Sequence, residues 1–315
     1  MKSCAWKCWA LLLLIFWAVV LCNYSLLRIN TSLGSTIYVF AKLPKPPTSR
    51  FFLPSQAKEN GRPLGVQNYL STTGDKTFDL VLFSTEDGYS PYTMRKLKLF
   101  RSMCDIYASK YSFRAILFTK TQTLASALSS SSVIIVSDFE VNPFGLPIIT
   151  SMFSIAQRLV SAKYYGYINF DILVDPMIFD VLSFCENSVK SGQIKPMHEI
   201  AGRVYERSWS DLPSSFDSFE ALRSYFANYT RSRARIRSPG SADYFVFSRQ
   251  AMPLVTNTSQ SAVIGRLRID NYLMGVIYEA GDLIDATTAV IGFHEGIDGF
   301  FNRRAGSQTP FTTAM

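Results

Sequence analysis

The sequence predicts an α/β fold with a mostly parallel central sheet flanked by helices, preceded by an N-terminal segment that enters a membrane. Three observations carry this expectation. Apolar runs of strand length alternate with stretches of helical spacing. Polar residues follow those runs, where the ligands of such sheets usually sit. A charge-free apolar run opens the chain. With 48% apolar, 14% aromatic and only 18% charged residues in 315, the chain can bury a substantial core. That composition excludes a disordered, collagenous or coiled-coil protein.

From Cys8 to Cys22 the chain reads CWALLLLIFWAVVLC. With Leu26 and Leu27 counted, it approaches the ~20 residues needed to cross ~30 Å of hydrocarbon. Lys2 and Lys7 precede it, which puts a tail of residues 1–7 in the cytosol and the body in the lumen. An uncleaved signal-anchor over 8–27 is expected; a cleaved signal peptide ending near Val20-Leu21-Cys22 is the competing reading. Sequons at Asn23, Asn30, Asn228 and Asn257 fit a lumenal body. In an oxidising lumen Cys104 and Cys185 either pair or serve as two buried thiols. Residues 28–76, rich in proline and glycine from residue 42 onward, read as a stem.

The folded domain is expected over 77–303, with a polar tail at 304–315. Asp79-Leu-Val-Leu-Phe83 is the first strand, Thr93–Ala108 a helix, Arg114–Phe118 and Val133–Val136 the next strands. Ile148–Ala162 has helical spacing, and Tyr165–Asn169 is a fourth strand. Asp175-Pro176 starts a helix, and Asp217-Ser-Phe-Glu220 resembles a capping box before another. A strand at Asp243–Phe247, a helix at Asp270–Glu279 and a strand at Leu283–Asp285 complete the domain. The polar residues beyond the strands are Ser84-Thr85-Glu86-Asp87, Thr119-Lys120, Ser137-Asp138 and Asn169-Phe170-Asp171.

Lys and Arg number 32 against 24 Asp and Glu, a net charge of +8, but three of the cations (Lys2, Lys7 and Arg28) flank the apolar N-terminal segment. No basic stripe interleaved with aromatics suggests nucleic-acid binding. Cysteine spacing does not fit a structural zinc site. No G-x-S-x-G, Walker, G-x-G-x-x-G or H-E-x-x-H motif occurs, which argues against a hydrolase, an NTPase, a dinucleotide enzyme and a zinc protease.

Asn169 and Asp171, two residues apart beyond an apolar strand, offer oxygen ligands of the kind that hard divalent cations take. Asp171 as the cap of the following turn is the plainer reading. In order and spacing, Gly145-Leu-Pro147, Tyr167-Ile-Asn-Phe-Asp-Ile172, Ala242-Asp-Tyr-Phe-Val-Phe247, Gly265-Arg-Leu-Arg-Ile-Asp-Asn-Tyr-Leu273, Asp285-Ala-Thr287 and His294 resemble glycosyltransferases of the GT-A fold, in particular a lumenal, single-anchor type II membrane branch. The resemblance covers roughly residues 78–295. It departs at Asn169, where the metal motif has an acid.

The resemblance implies a sugar transferred from a nucleotide-sugar donor to a glycan or glycoconjugate acceptor at a Golgi or ER membrane. It implies Mn²⁺ or Mg²⁺ held by Asp171, Asn169 and His294 against the departing diphosphate, and Asp270 as the base for the acceptor hydroxyl. Ser84, Thr85, Asp243, Arg266 and Asn271 would contact the donor. Three of these have a plainer alternative: His294 as a structural histidine, Asp270 as an N-cap, Asp243 tied to Arg266. The run Arg231, Arg233, Arg235, Arg237 suits a diphosphate or an anionic acceptor, or a solvated loop. A non-catalytic lumenal glycan-binding or partner-docking protein of the same fold is the alternative function, with Asn169 as its motive.

Overall fold

The apolar runs become strands because their residues alternate between two buried faces, as a sheet covered on both sides requires. Along the strand Phe78–Thr85, Leu80 and Leu82 enter one core layer and Val81 and Phe83 the other. The computed structural model describes residues 24–30 and 36–42 (backbone only), 76–86, 88, 91–207, 213–228, 235–237, 241–257, 262–265 and 269–295.

The strands are β1 (Tyr24–Asn30), β2 (Thr36–Lys42), β3 (Phe78–Thr85), β4 (Phe113–Phe118), β5 (Val133–Val136), β6 (Ala162–Ile168), β7 (Ile172–Val174), β8 (His198–Gly202), β9 (Tyr205–Arg207), β10 (Arg235–Ile236), β11 (Tyr244–Ser248), β12 (Asp282–Asp285) and β13 (Gly292–Glu295). The helices are α1 (Pro91–Lys110), α2 (Gln122–Leu128), α3 (Ile149–Leu159), α4 (Met177–Lys190), α5 (Phe219–Asn228), α6 (Met252–Thr256) and α7 (Ile269–Ile277). A nine-stranded sheet runs β1-β2-β12-β8-β11-β6-β3-β4-β5, and a smaller sheet runs β10-β9-β13-β7. In the large sheet only β2 and β11 run against the other strands. The architecture is therefore mixed α/β with a mostly parallel central sheet.

From β3 the chain steps outward to β4 and β5, then returns to lay β6 on the other side of β3. Such a reversal leaves a crevice beyond the carboxyl ends of the two strands, the usual ligand position in open α/β sheets. One core layer joins the sheet to α1, α4, α5 and the small sheet. The other joins it to α3, α6 and α7.

Several expectations are corrected. Tyr24–Leu27, counted into the membrane span, lie in β1, and part of the expected stem is β2, which pairs antiparallel with β12. The sequence TIYVFAK is rich in β-branched and aromatic residues, which favour a sheet edge over a spacer. The rest of the span, residues 8–23, lies outside the described residues, as do the stem residues 43–75 and the tail 304–315. Among the described residues no helix is long and apolar enough to cross a membrane. Cys104 and Cys185 are buried free thiols. Asn257 is exposed. The cap of α5 comes from Ser218, whose Oγ accepts the Ala221 N–H at 3.0 Å, rather than from Asp217. Asp175 does cap α4: its Oδ1 accepts the Met177 N–H at 2.9 Å.

Candidate functional site at the β3–β6 crevice

The apolar run of β6 stops at Ile168, and the Asn169-Phe170-Asp171 turn carries the chain from the large sheet into the small one. The Ile172 N–H closes that turn on the Asn169 carbonyl at 3.0 Å. β13 then pairs with β7 in a register that sets His294 opposite Ile172, so the imidazole arrives beside the turn. Its Nε2 lies 3.3 Å from Asp171 Oδ2. Lys96, in the second turn of α1, donates from Nζ to the same oxygen at 2.9 Å and lies 5.8 Å from the centre of the Phe170 ring.

The side chains of Lys96 and Asp171 are only 14% and 16% exposed. Burial alone pushes the Asp171 carboxyl up. The hydrogen bond and charge of His294, then the Lys96 ammonium, outweigh burial and hold it at about 2. Asp171 is therefore a fixed negative charge at any physiological pH.

Tyr167, at the end of β6, joins the rest of the site. Its hydroxyl donates to Asn169 Oδ1 at 2.6 Å. Its pKa is raised well above the usual phenol range by burial, then by the charges of Asp171, Asp243 and Glu86. Three carboxylates thus act on one phenol through their charge: from the turn after β6, from the residue before β11, and from the residue after β3. Asp243, 5% exposed, is held by Arg237 Nη1 at 2.6 Å and accepts a longer bond from Ser241 Oγ at 3.4 Å. Next to it the Tyr244 ring lies against Gly202, where any Cβ would collide with the phenol.

The crevice brings together Asp171, Asn169, His294 and, through Tyr167, Asp243. Ser84, the last residue but one of β3, is fully buried with no hydrogen-bond partner for its Oγ among the described residues. The Thr85 hydroxyl is taken by the Phe118 carbonyl at 2.9 Å. Asp270 lies in the first turn of α7, which runs down to the edge where β12 begins, so its carboxylate belongs to the ligand edge. There it accepts the Asn271 N–H at 2.9 Å. Asn271 is exposed, and no hydrogen bond or ion pair joins either residue to the Asp171 group. Arg266, Arg231 and Arg233 lie outside the described residues. Of the arginine run, Arg235 is exposed and Arg237 turns inward to Asp243. Arg237 is thus a partner of Asp243, while the Arg266 suggested by the sequence lies outside the described residues.

The residues expected to hold a divalent ion do not fit one. Facing a carboxylate oxygen, His294 Nε2 presents a proton and not a lone pair. Asn169 Oδ1 already accepts from Tyr167. Asp171 already holds an ammonium, and a divalent ion ~4 Å from it would meet a repulsion of about 8 kcal/mol at an effective dielectric near 20. Among the described residues no group of three His, Cys, Asp or Glu side chains is placed to hold a metal.

Lys96 and Tyr167 gained no role from the sequence alone, and Glu86 only a place. Lys96 did leave a signal. It shares a helical stripe with Phe100, Met103 and Tyr107, all buried, where the period calls for an apolar residue. A cation there has to find a partner.

No family model and no curated protein matches the sequence. Among solved structures, HddC from Yersinia pseudotuberculosis is 14% identical, with a TM-score of 0.38 over 72% of this chain and 97% of that one. TarS 1-349 of S. aureus is 9% identical, with a TM-score of 0.39 over 69% and 60% of the two chains. The 4-diphosphocytidyl-2C-methyl-D-erythritolsynthase from Anaerococcus prevotii DSM 20548 is 8% identical, with a TM-score of 0.33 over 67% and 89%. At TM-scores below 0.5 these likenesses carry no argument, and the site is read from its own geometry.

Proposed function

We propose that the chain is a glycosyltransferase that moves a sugar from a nucleotide-sugar donor to a glycan or glycoconjugate acceptor, anchored by the apolar run of residues 8–23 in a Golgi or ER membrane with its domain in the lumen. One observation carries the reading. At the β3–β6 crevice Asp171 holds Lys96 and His294 on one oxygen, and on the neighbouring strand, where Tyr244 pairs with Ile168, the preceding Asp243 holds Arg237. Acids suit sugar hydroxyls, and cations suit a departing diphosphate.

In this reading Asp243, oriented by Arg237, accepts hydroxyls of the donor sugar. Asn169 and Tyr167 keep the turn rigid, so that Asp171 and its cations meet the donor in one geometry. Asp270, on the same edge, accepts the proton of the attacking acceptor hydroxyl. A panel of nucleotide sugars offered to the full chain tests the proposal. One donor is expected to be hydrolysed slowly without acceptor, and Asp243→Asn is expected to lower that rate by at least tenfold. Glycan binding with no donor bound or turned over would overturn the enzyme reading in favour of a carbohydrate-binding protein.

A further inference from the structure

We propose that Lys96, held in place by Asp171, is the cation that meets the diphosphate of the donor, so that nucleoside-diphosphate binding at this crevice needs no divalent metal ion. The inference rests on the donor reading above and specifies how that site handles the charge of its ligand.

Position comes first. Lys96 rises from the helix that follows β3 and reaches the turn that follows β6, so its ammonium stands at the reversal of strand order where a ligand of this sheet would lie. Its neighbours come next. Asp171 accepts one of its protons at 2.9 Å, the Phe170 ring lies under it at 5.8 Å, and His294 reaches the same carboxylate oxygen at 3.3 Å. A lysine ammonium carries three donors, so a bond to Asp171 and one to a phosphate oxygen are compatible.

The carboxylate then has a different task from the one its motif suggests. In the metal-dependent arrangement an acid holds an ion and the ion holds the phosphate. Here the acid holds a lysine. Asp171 is a positioning residue, because the end of a long, flexible lysine stem is fixed by what it bonds to. The neutral Asn169, bonded to Tyr167, fits this arrangement: with a covalently tethered cation a second acid is not needed.

Isothermal titration of UDP, GDP and CDP into the full chain, once with excess EDTA and once with saturating Mn²⁺, tests the proposal. At least one nucleotide is expected to bind with the same affinity in both. Lys96→Met is expected to weaken that binding about 10- to 100-fold, while Lys96→Arg, which keeps the charge, retains most of it. Because Lys96→Met strips Asp171 of a partner, Lys96→Met with Asp171→Asn is measured beside it, each with its thermal unfolding. A well-folded variant that still binds as wild type overturns the assignment of Lys96. Binding that appears only with Mn²⁺ overturns metal independence and leaves the donor reading standing. No binding of any nucleotide under either condition overturns both.

Discussion

Two buried acids show how differently one fold treats the same chemistry at its edge and in its interior. Asp171, on the turn beyond β6, has a lysine and a histidine on one oxygen and is held ionised. Glu199, the second residue of β8, lies between Phe247 of β11 and Leu283 of β12. It is fully buried, and neither of its carboxyl oxygens has a hydrogen-bond partner among the described residues. Burial alone pushes its carboxyl well above the usual carboxylate range, so the fold favours its protonated form where it favours the ionised form of Asp171. Charge is kept at the edge because chain segments distant in sequence deliver cations there. Beside Glu199 the neighbours are other strands, and the residues they set opposite it, Phe247 and Leu283, are apolar.

The largest way to break the contrast is to delete the edge acid. Asp171→Ala leaves Lys96 and His294 mostly buried without their shared counter-charge. It is expected to cost about 3 kcal/mol of stability in chemical denaturation at neutral pH. A loss below about 0.5 kcal/mol would mean that the pair is screened like a surface salt bridge, and the comparison with Glu199 would lose its point.

Acid titration asks the same question more gently. The Asp171 carboxyl lies at about 2 in the folded chain against an ordinary 3.8. The unfolded chain therefore takes up the proton first as pH falls. The stability it contributes is fully present above about 4 and is lost as pH drops through about 2, an amount of about 2 kcal/mol. Denaturation of wild type and Asp171→Asn at a series of pH values should show that loss in wild type alone. Equal acid sensitivity in the two would assign it to other carboxylates.

The contrast also marks what the sequence could and could not disclose. β3, β4, β5, β6 and β11 are legible because each is an apolar run buried on both faces. β8 is not, since HEIAG opens with a histidine and a glutamate that burial alone makes strand-like. β7, β9, β10 and β13 are two to four residues long, too short for a period to show. The Asn169–Asp171 turn was legible from its place after a strand, and so was His294 as a candidate beside it. The identity of their partner was not. Lys96 is 75 residues from Asp171, and only the packing of α1 across β7 joins them. The membrane segment and the β1–β2 hairpin were confused at residues 24–27 because an apolar run carries no mark of where helix gives way to strand.

The interior acid gives the smallest effect and the opposite sign. With the folded pKa of Glu199 raised, the native chain keeps a proton that the unfolded chain releases above about 4.5. Stability therefore falls as pH rises past that value, by up to about 1.4 kcal/mol per pH unit while Glu199 remains protonated in the fold. Glu199→Gln removes this proton from the balance and keeps the side chain's shape. The stability of the variant relative to wild type is expected to increase as pH rises above about 4.5, whatever the other groups, His198 among them, add to both profiles. Parallel profiles for the two proteins would mean that Glu199 is ionised in the fold with a partner of its own, and edge and interior would then differ in geometry but not in charge.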